Sequence, residues 1–247
     1  MPDRSIQSSS DSRDRWAAQL AALDGADNGT RSRKTPITVD RIASTAFALV
    51  AKEGFDALTM RRLAAALHTG PASLYGHVRN KADLDDLLIG RLCSEVVLPK
   101  PSRTRWRAQI IDVCEQLRDQ FLRYPGISRA ALAATPNSVD TLRINEGMLA
   151  ILLAGGIPVQ HAAWAIDAAY LYVAAYSLEA SLRQASIGGP DERSLNKAEI
   201  IERLRMLPAD RFPNTVAHAE NLAAGDAHER FDFTLRVLFD GLAGTAS

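Results

Sequence analysis

FDALTMRRLAAALHTGPASLYGHVRNKADLDDLL, residues 55–88, decides how this chain of 247 residues is read. Thr59 offers the hydroxyl of a helix cap, and Leu63, Ala64 and Leu67 follow at the spacing of one buried helical face. Three residues, His68-Thr69-Gly70, interrupt that pattern. Pro71 reopens it, because the first turn of a helix has no use for the N–H that proline lacks. The helix that begins there is short and ends near Val78, with Leu74 and Val78 four apart and turned inward. Ala72, Ser73, Tyr75, Gly76 and His77 are left on the outer side. Ala and Gly permit close approach, while Ser73, Tyr75 and His77 bring hydrogen-bonding groups. Two short helices joined by a tight turn containing Gly have the geometry of a helix-turn-helix, whose second helix puts its first turns into the major groove of DNA.

Outward from this stretch the pattern stays helical. Thr38 is placed to cap a helix carrying Ile42, Ala46, Leu49 and Val50 as far as Gly54, and Phe55 and Leu58 plug the link that follows. Asn80 or Asp83 begins a longer helix with Leu84, Leu87, Leu88 and Leu92 along it. Beyond Pro99 and Pro101, helices are expected over 106–124, 127–134, 139–154, 158–185, 197–206 and 226–242, with a loop around Pro213. Residues 1–36, rich in Ser, Asp, Arg and Gly, read as a mobile arm with a short amphipathic helix over 14–23. Its basic end, Arg31-Ser32-Arg33-Lys34, has the composition of arms that reach phosphates or a minor groove.

Composition agrees. Apolar residues make up 47% of the chain, enough for a packed core, and Leu and Ala outweigh Val, Ile and Thr, which favours helix over sheet. No apolar run reaches the roughly 18 residues of a membrane span, and the first residues lack the core of a secretory signal, so a cytoplasmic protein is expected. Cys93 and Cys114 have no metal-ligand spacing and read as buried thiols. The net charge of zero hides a basic segment: residues 31–81 hold nine Lys or Arg against three acids. One basic end on a neutral chain is the footprint of a DNA-binding head. Catalysis is not expected, because His68, His77, His161, His218 and His228 are scattered and no nucleophile elbow, zinc-binding helix or phosphate loop is present.

Residues 38–88 resemble the N-terminal signature of the TetR family: a helix, Gly, an aromatic, then T…RxLA, a short turn, and LYxHVxNK. The closing stretch GDAHERFDFTLRVLFDGL is similar to the last helix of many such regulators. The resemblance implies an all-α protein with a flexible arm (1–36), a three-helix helix-turn-helix domain (37–82) and a larger helical ligand-sensing and dimerisation domain (83–247). It further implies a homodimer on a palindromic operator of double-stranded DNA, released by a small apolar or aromatic effector. By that resemblance Thr59 and Arg61 meet phosphate or base, Pro71, Ala72, Ser73, Gly76 and His77 face the bases, and Tyr75 and Lys81 hold the backbone. Gly76 departs from relatives that carry a bulky aromatic there, and Arg62 reads as a solvated charge.

In the body, Trp164, Asp167, Tyr170, Tyr172 and Tyr176 lie on a background of Ala and Leu, a mixture suited to orienting an apolar ligand. Asn145, Glu146 and Met148 on the preceding helix and His161 are the candidates to face it. Phe231, Leu235, Leu238 and Leu242, with Phe239 nearby, form a stripe for a dimer seam or for an internal core. No cofactor is expected. Tetracycline-type members ligate a metal through a His after the Pro-Gly corner, and here ISRAALAATP has none. Two other readings, a ligand-independent architectural DNA-binding protein and a helical binding module or enzyme, remain to be separated from the regulator.

Overall fold

The computed structural model describes residues 37–133, 138–186, 196–225 and 227–244, all of whose regular elements are helices. The arm and its expected short helix lie outside the described residues. Helix α1 spans Val39–Glu53, a single 3₁₀ turn Phe55–Ala57, α2 Met60–Ala66, α3 Pro71–Leu74 and α4 Lys81–Ser94. The body contains α5 (Trp106–Leu122), α6 (Ser128–Ala133), α7 (Val139–Ala154) and α8 (Val159–Ser186). There follow α9 (Lys197–Arg205), α10 (Pro213–Ala217), α11 (Ala219–Leu222) and α12 (Ala227–Ala243).

The helix starts are chemically signed. Thr38 Oγ accepts from the Arg41 N–H at 3.2 Å, Thr59 Oγ from Arg62 at 3.2 Å, and the Asn80 side chain from Asp83 at 2.8 Å. Asn80, not Asp83, is therefore the cap of α4. Ser138 caps α7, and Asn196 with Glu199 closes a reciprocal capping box on α9. Pro213, expected in a loop, opens α10 instead, because proline fits the first turn of a helix as readily as a loop.

The long helix α8 is the centre of the body: α5, α6, α7 and α12 all pack against it. Its inner side is small, with Ala162, Ala165, Ala169, Val173 and Ala174 buried, so neighbouring helices come close. Phe231, Leu235 and Phe239 of α12 are fully buried on the same core. The stripe read as a dimer seam is thus in large part an internal one: Phe231 lies against Tyr172 and Tyr176, with ring centroids 5.5 and 4.8 Å away. Leu238 and Leu242 are half-buried against that core. Cys93 and Cys114 are both free and buried, and burial pushes their thiols up to about 11 and about 12.

Helix α4 joins head and body. It packs on α1 at one side and on α5, α6 and α7 at the other. The guanidinium of Arg143 on α7 donates to the carbonyls of Cys93 and Val96 at 2.7 and 2.9 Å, tying the end of α4 and the chain just beyond it to the body.

Gly155, just after α7, makes room for the buried indole of Trp106: a Cβ there would lie 2.5 Å from the ring. Gly155→Ala is expected to cost about 1–3 kcal/mol through overpacking. Chemical denaturation measures this, and an unchanged midpoint would show that the indole can move aside.

Candidate nucleic-acid interface

The recognition element is small and strictly two-sided. Only Pro71–Leu74 is regular α-helix, and the chain continues as a turn in which His77 and Val78 N–H both donate to the Leu74 carbonyl at 2.9 Å. Leu74 and Val78 are buried, whereas Pro71, Ala72, Ser73, Tyr75, Gly76 and His77 are exposed, Tyr75 by 51%. A Cβ at Gly76 would meet nothing nearer than 3.9 Å, so glycine here leaves the outer surface low rather than relieving an internal clash. Thr59 and Arg61 are exposed at the start of α2, and Thr59 also caps that helix.

Two basic residues near this face have partners of their own. The Lys81 ammonium lies 3.9 Å from the centroid of the Phe55 ring and pairs with Asp85. Burial raises the Asp85 carboxyl, and the Lys81 hydrogen bond and charge offset this in part. Arg62, read as a solvated charge, pairs with Glu53 and so ties α2 to the end of α1.

The turn between α2 and α3 is held by backbone bonds. His68 N–H donates to Ala65 O and Thr69 N–H to Ala64 O, both at 3.0 Å, the crossed pattern that closes a helix through a left-handed residue. That residue is His68, with φ of 54°, while Gly70 has an ordinary φ of −77°. A non-glycine residue in this conformation stores backbone strain.

The ligand candidates divide. Trp164 is 62% exposed and Asp167 is exposed, so both stand on the outer face of α8 and not in the interior. Tyr172 donates to the Arg230 carbonyl at 3.3 Å, and with Tyr176 it serves the seam to α12. Glu146 is exposed, Asn145 is half-buried and Met148 is buried. Tyr170 stands edge-on to Phe121 at 6.4 Å, and desolvation, then the nearby Cys93, drives its phenol well above the usual range. His161 is half-buried with a buried Nδ1 that has no hydrogen-bond partner among the described residues. Ser128 was not a candidate. It is fully buried at the start of α6, and its hydroxyl also has no partner there. Its only trace in the sequence is a polar residue opening a run of small apolar ones.

A basic, two-sided helix-turn-helix on an all-helical body defines a DNA-binding regulator. The chain belongs to the TetR family: residues 42–85 match the model of bacterial regulatory proteins of the tetR family, and residues 98–246 match the tetracyclin repressor-like C-terminal domain. It is 34% identical over 219 residues to an HTH-type transcriptional regulator of Saccharopolyspora erythraea, covering 87% of this chain and 89% of that one. It is 27% identical over 231 residues to the HTH-type transcriptional repressor DrrR1 of Streptomyces coeruleorubidus, covering 86% and 80%. The structure of the TetR family protein ActR from Streptomyces coelicolor in complex with actinorhodin is similar over 86% of this chain and 100% of that chain, with a TM-score of 0.78 and 35% identity. Among the described residues no helix is long and apolar enough to cross a membrane.

His68→Gly is expected to relieve the left-handed strain and to raise stability by about 1 kcal/mol, a gain of roughly 2–4 °C in Tm. Differential scanning calorimetry reads the sign directly; a lower Tm would mean that the imidazole contributes more than its backbone costs.

Proposed function

We propose that this regulator is a cytoplasmic homodimer that holds a palindromic operator and leaves it when an apolar or aromatic effector enters the body. The division at residue 82 into a DNA-binding domain and a sensing and dimerising one follows from the same reading. The observation that carries it is the outer face of Pro71–His77, where small residues and three hydrogen-bonding side chains stand exposed above two buried anchors. In this reading Pro71, Ala72, Ser73, Gly76 and His77 meet base edges, Thr59 and Arg61 meet phosphate or a base, and Tyr75 and Lys81 hold the backbone. Lys81 reaches a phosphate only by leaving Asp85.

Effector binding is supported by polar groups set in the apolar body: Ser128 at the start of α6 is buried with no hydrogen-bond partner among the described residues, and the desolvated Tyr170 of α8 stands against Phe121 of α5. The likeness to ActR, whose structure holds actinorhodin, supports an aromatic effector. The half-sites of a palindrome require a two-fold partner. The surface that fits a second copy is the outer side of α8 and α12, with Trp164, Leu171 and Leu182 on one helix and Phe233 (68% exposed) and Val237 on the other. Release then follows as a population shift: an effector that prefers a body in which the heads are wrongly spaced lowers operator affinity by its differential affinity for that state.

Selection of random duplex DNA followed by sequencing tests the reading. A palindrome with half-sites about one helical turn apart is expected, bound about 10³-fold or more tighter than random DNA. Affinity indifferent to sequence and governed by salt would make this an architectural protein. On the enriched duplex, Tyr75→Ala is expected to weaken binding about tenfold or more with helical content unchanged. Tyr75 is the cleaner probe than Lys81, whose removal also strips a partner from Asp85. Phe233→Arg combined with Val237→Glu is expected to shift the protein to monomer in sedimentation; a dimer that survives the pair places the seam elsewhere.

A further inference from the structure

Lys81 opens α4 and has partners on two sides. Its ammonium lies 3.9 Å from the centroid of the Phe55 ring and pairs with the carboxylate of Asp85, one turn further along the helix. The Asp85 side chain is the more enclosed of the two, 19% exposed against 37% for Lys81. Burial by itself raises the Asp85 carboxyl, and the hydrogen bond and charge of Lys81 pull it back. Arg61, by contrast, is exposed and has no ion-pair partner among the described residues.

Helix support does not account for the pair. An acid four residues before a base is the favourable order in a helix, and Lys81 before Asp85 is the reverse. A cation in the first turn also opposes the positive end of the helix dipole. α4 is supported in other ways: Asn80 caps it, and Leu84, Leu88, Ile89 and Leu92 are buried along it. The contacts of Lys81 therefore hold the ammonium and not the helix.

We propose that Asp85 is a brake on DNA binding, which competes with a backbone phosphate for the Lys81 ammonium and so weakens the grip of Lys81 on any duplex; this rests on the DNA-binding reading above. Carboxylate and phosphate oxygens offer the ammonium the same kind of partner, and its flexible stem lets it swing from one to the other. Swinging away strips the enclosed Asp85 carboxylate of its compensating charge and takes the ammonium off the Phe55 ring. A phosphate contact carries no sequence information, so the brake trims affinity and leaves discrimination to the exposed face of Pro71–His77.

The test has an arm without DNA and an arm with it. Trace acetylation of the full chain with acetic anhydride, read by mass spectrometry, compares Lys81 with the exposed Lys100. Lys81 is expected to react about threefold slower or more, and Asp85→Asn to remove most of that difference. In the second arm, the enriched duplex and a random duplex are titrated with the wild type, Asp85→Asn, Lys81→Ala and the double variant. Asp85→Asn keeps the shape of the side chain and is expected to tighten both duplexes about threefold or more. Loss of a negative charge near DNA tightens binding by itself, so the double variant decides: without Lys81, most of the tightening is expected to vanish. Arg61→Ala is the reference, with an effect expected to be the same whether or not Asp85 is present. Circular dichroism checks the fold, and Asp85→Ala repeats both arms should the amide disturb it. Tightening of equal size with and without Lys81 overturns the brake, as does a Lys81 that reacts as fast in the wild type as in Asp85→Asn. If the wild type binds neither duplex, the DNA-binding reading falls and the brake with it, whereas the acetylation rates still report whether Asp85 holds Lys81.

Discussion

Leu74 and Val78 are buried beneath a helix four residues long and the turn that follows it, and the exposed recognition face depends on that pair of anchors. A single turn of helix has no stability of its own in water, since nucleation costs more than one hydrogen bond returns. The surrounding core must therefore supply it: Leu63, Ala64 and Leu67 of α2, Ile42 and Ala46 of α1, and Leu58 and Val78 are all buried in the same cluster. Ser73, Tyr75 and His77 can be spared for a partner because Leu74 and Val78 do the holding. The same economy explains the strain at His68. The crossed backbone bonds of the turn fix α3 against α2, and the packed residues on either side keep the left-handed residue in place.

The head is legible in the sequence because its signals are local. Thr38, Thr59 and Asn80 cap helices where hydroxyl or amide side chains precede apolar periodicity, and Pro71 opens one. The bounds of α7 are those the pattern gives, set by Ser138 before it and the glycines after it. The body is less legible. In α8 the apolar residues are dense on every side, so periodicity alone does not separate an inward Tyr170 from an outward Trp164. Phe231 and Leu235 have the spacing of a seam, and spacing does not say whether the other side of that seam belongs to the same chain. Contacts such as Phe47 with Tyr124, or Arg143 with the end of α4, join residues far apart along the chain and leave no local mark.

The helical period lets α8 serve several surfaces at once. Ala162, Ala165, Ala169 and Val173 form its inner side, and their small size lets the body pack tightly around it. Tyr172 and Tyr176, turned a fraction of a circle away, receive Phe231 and bind α12. Trp164, Leu171 and Leu182 continue round to the exposed side. An effector beside Tyr170 and a second copy against Leu171 would thus act on adjacent residues of one rigid rod, with about 100° between them. Such a rod would convey a displacement with little loss, so in the proposed dimer occupancy of the core and the mutual orientation of two bodies would be bound together.

That geometry also decides where flexibility is useful. If α8 serves both sensor and seam as proposed, it could not bend without loosening both, and movement would fall on weaker joints. Helix α4 is stiff along its length and tied at its far end by Arg143. The joint between the α1–α2 turn and the α5–α6 corner is of another kind: one backbone bond, one ring pair and one solvent-exposed ion pair. Contacts of that sort can be exchanged for water at modest cost, unlike the packed sides of α8.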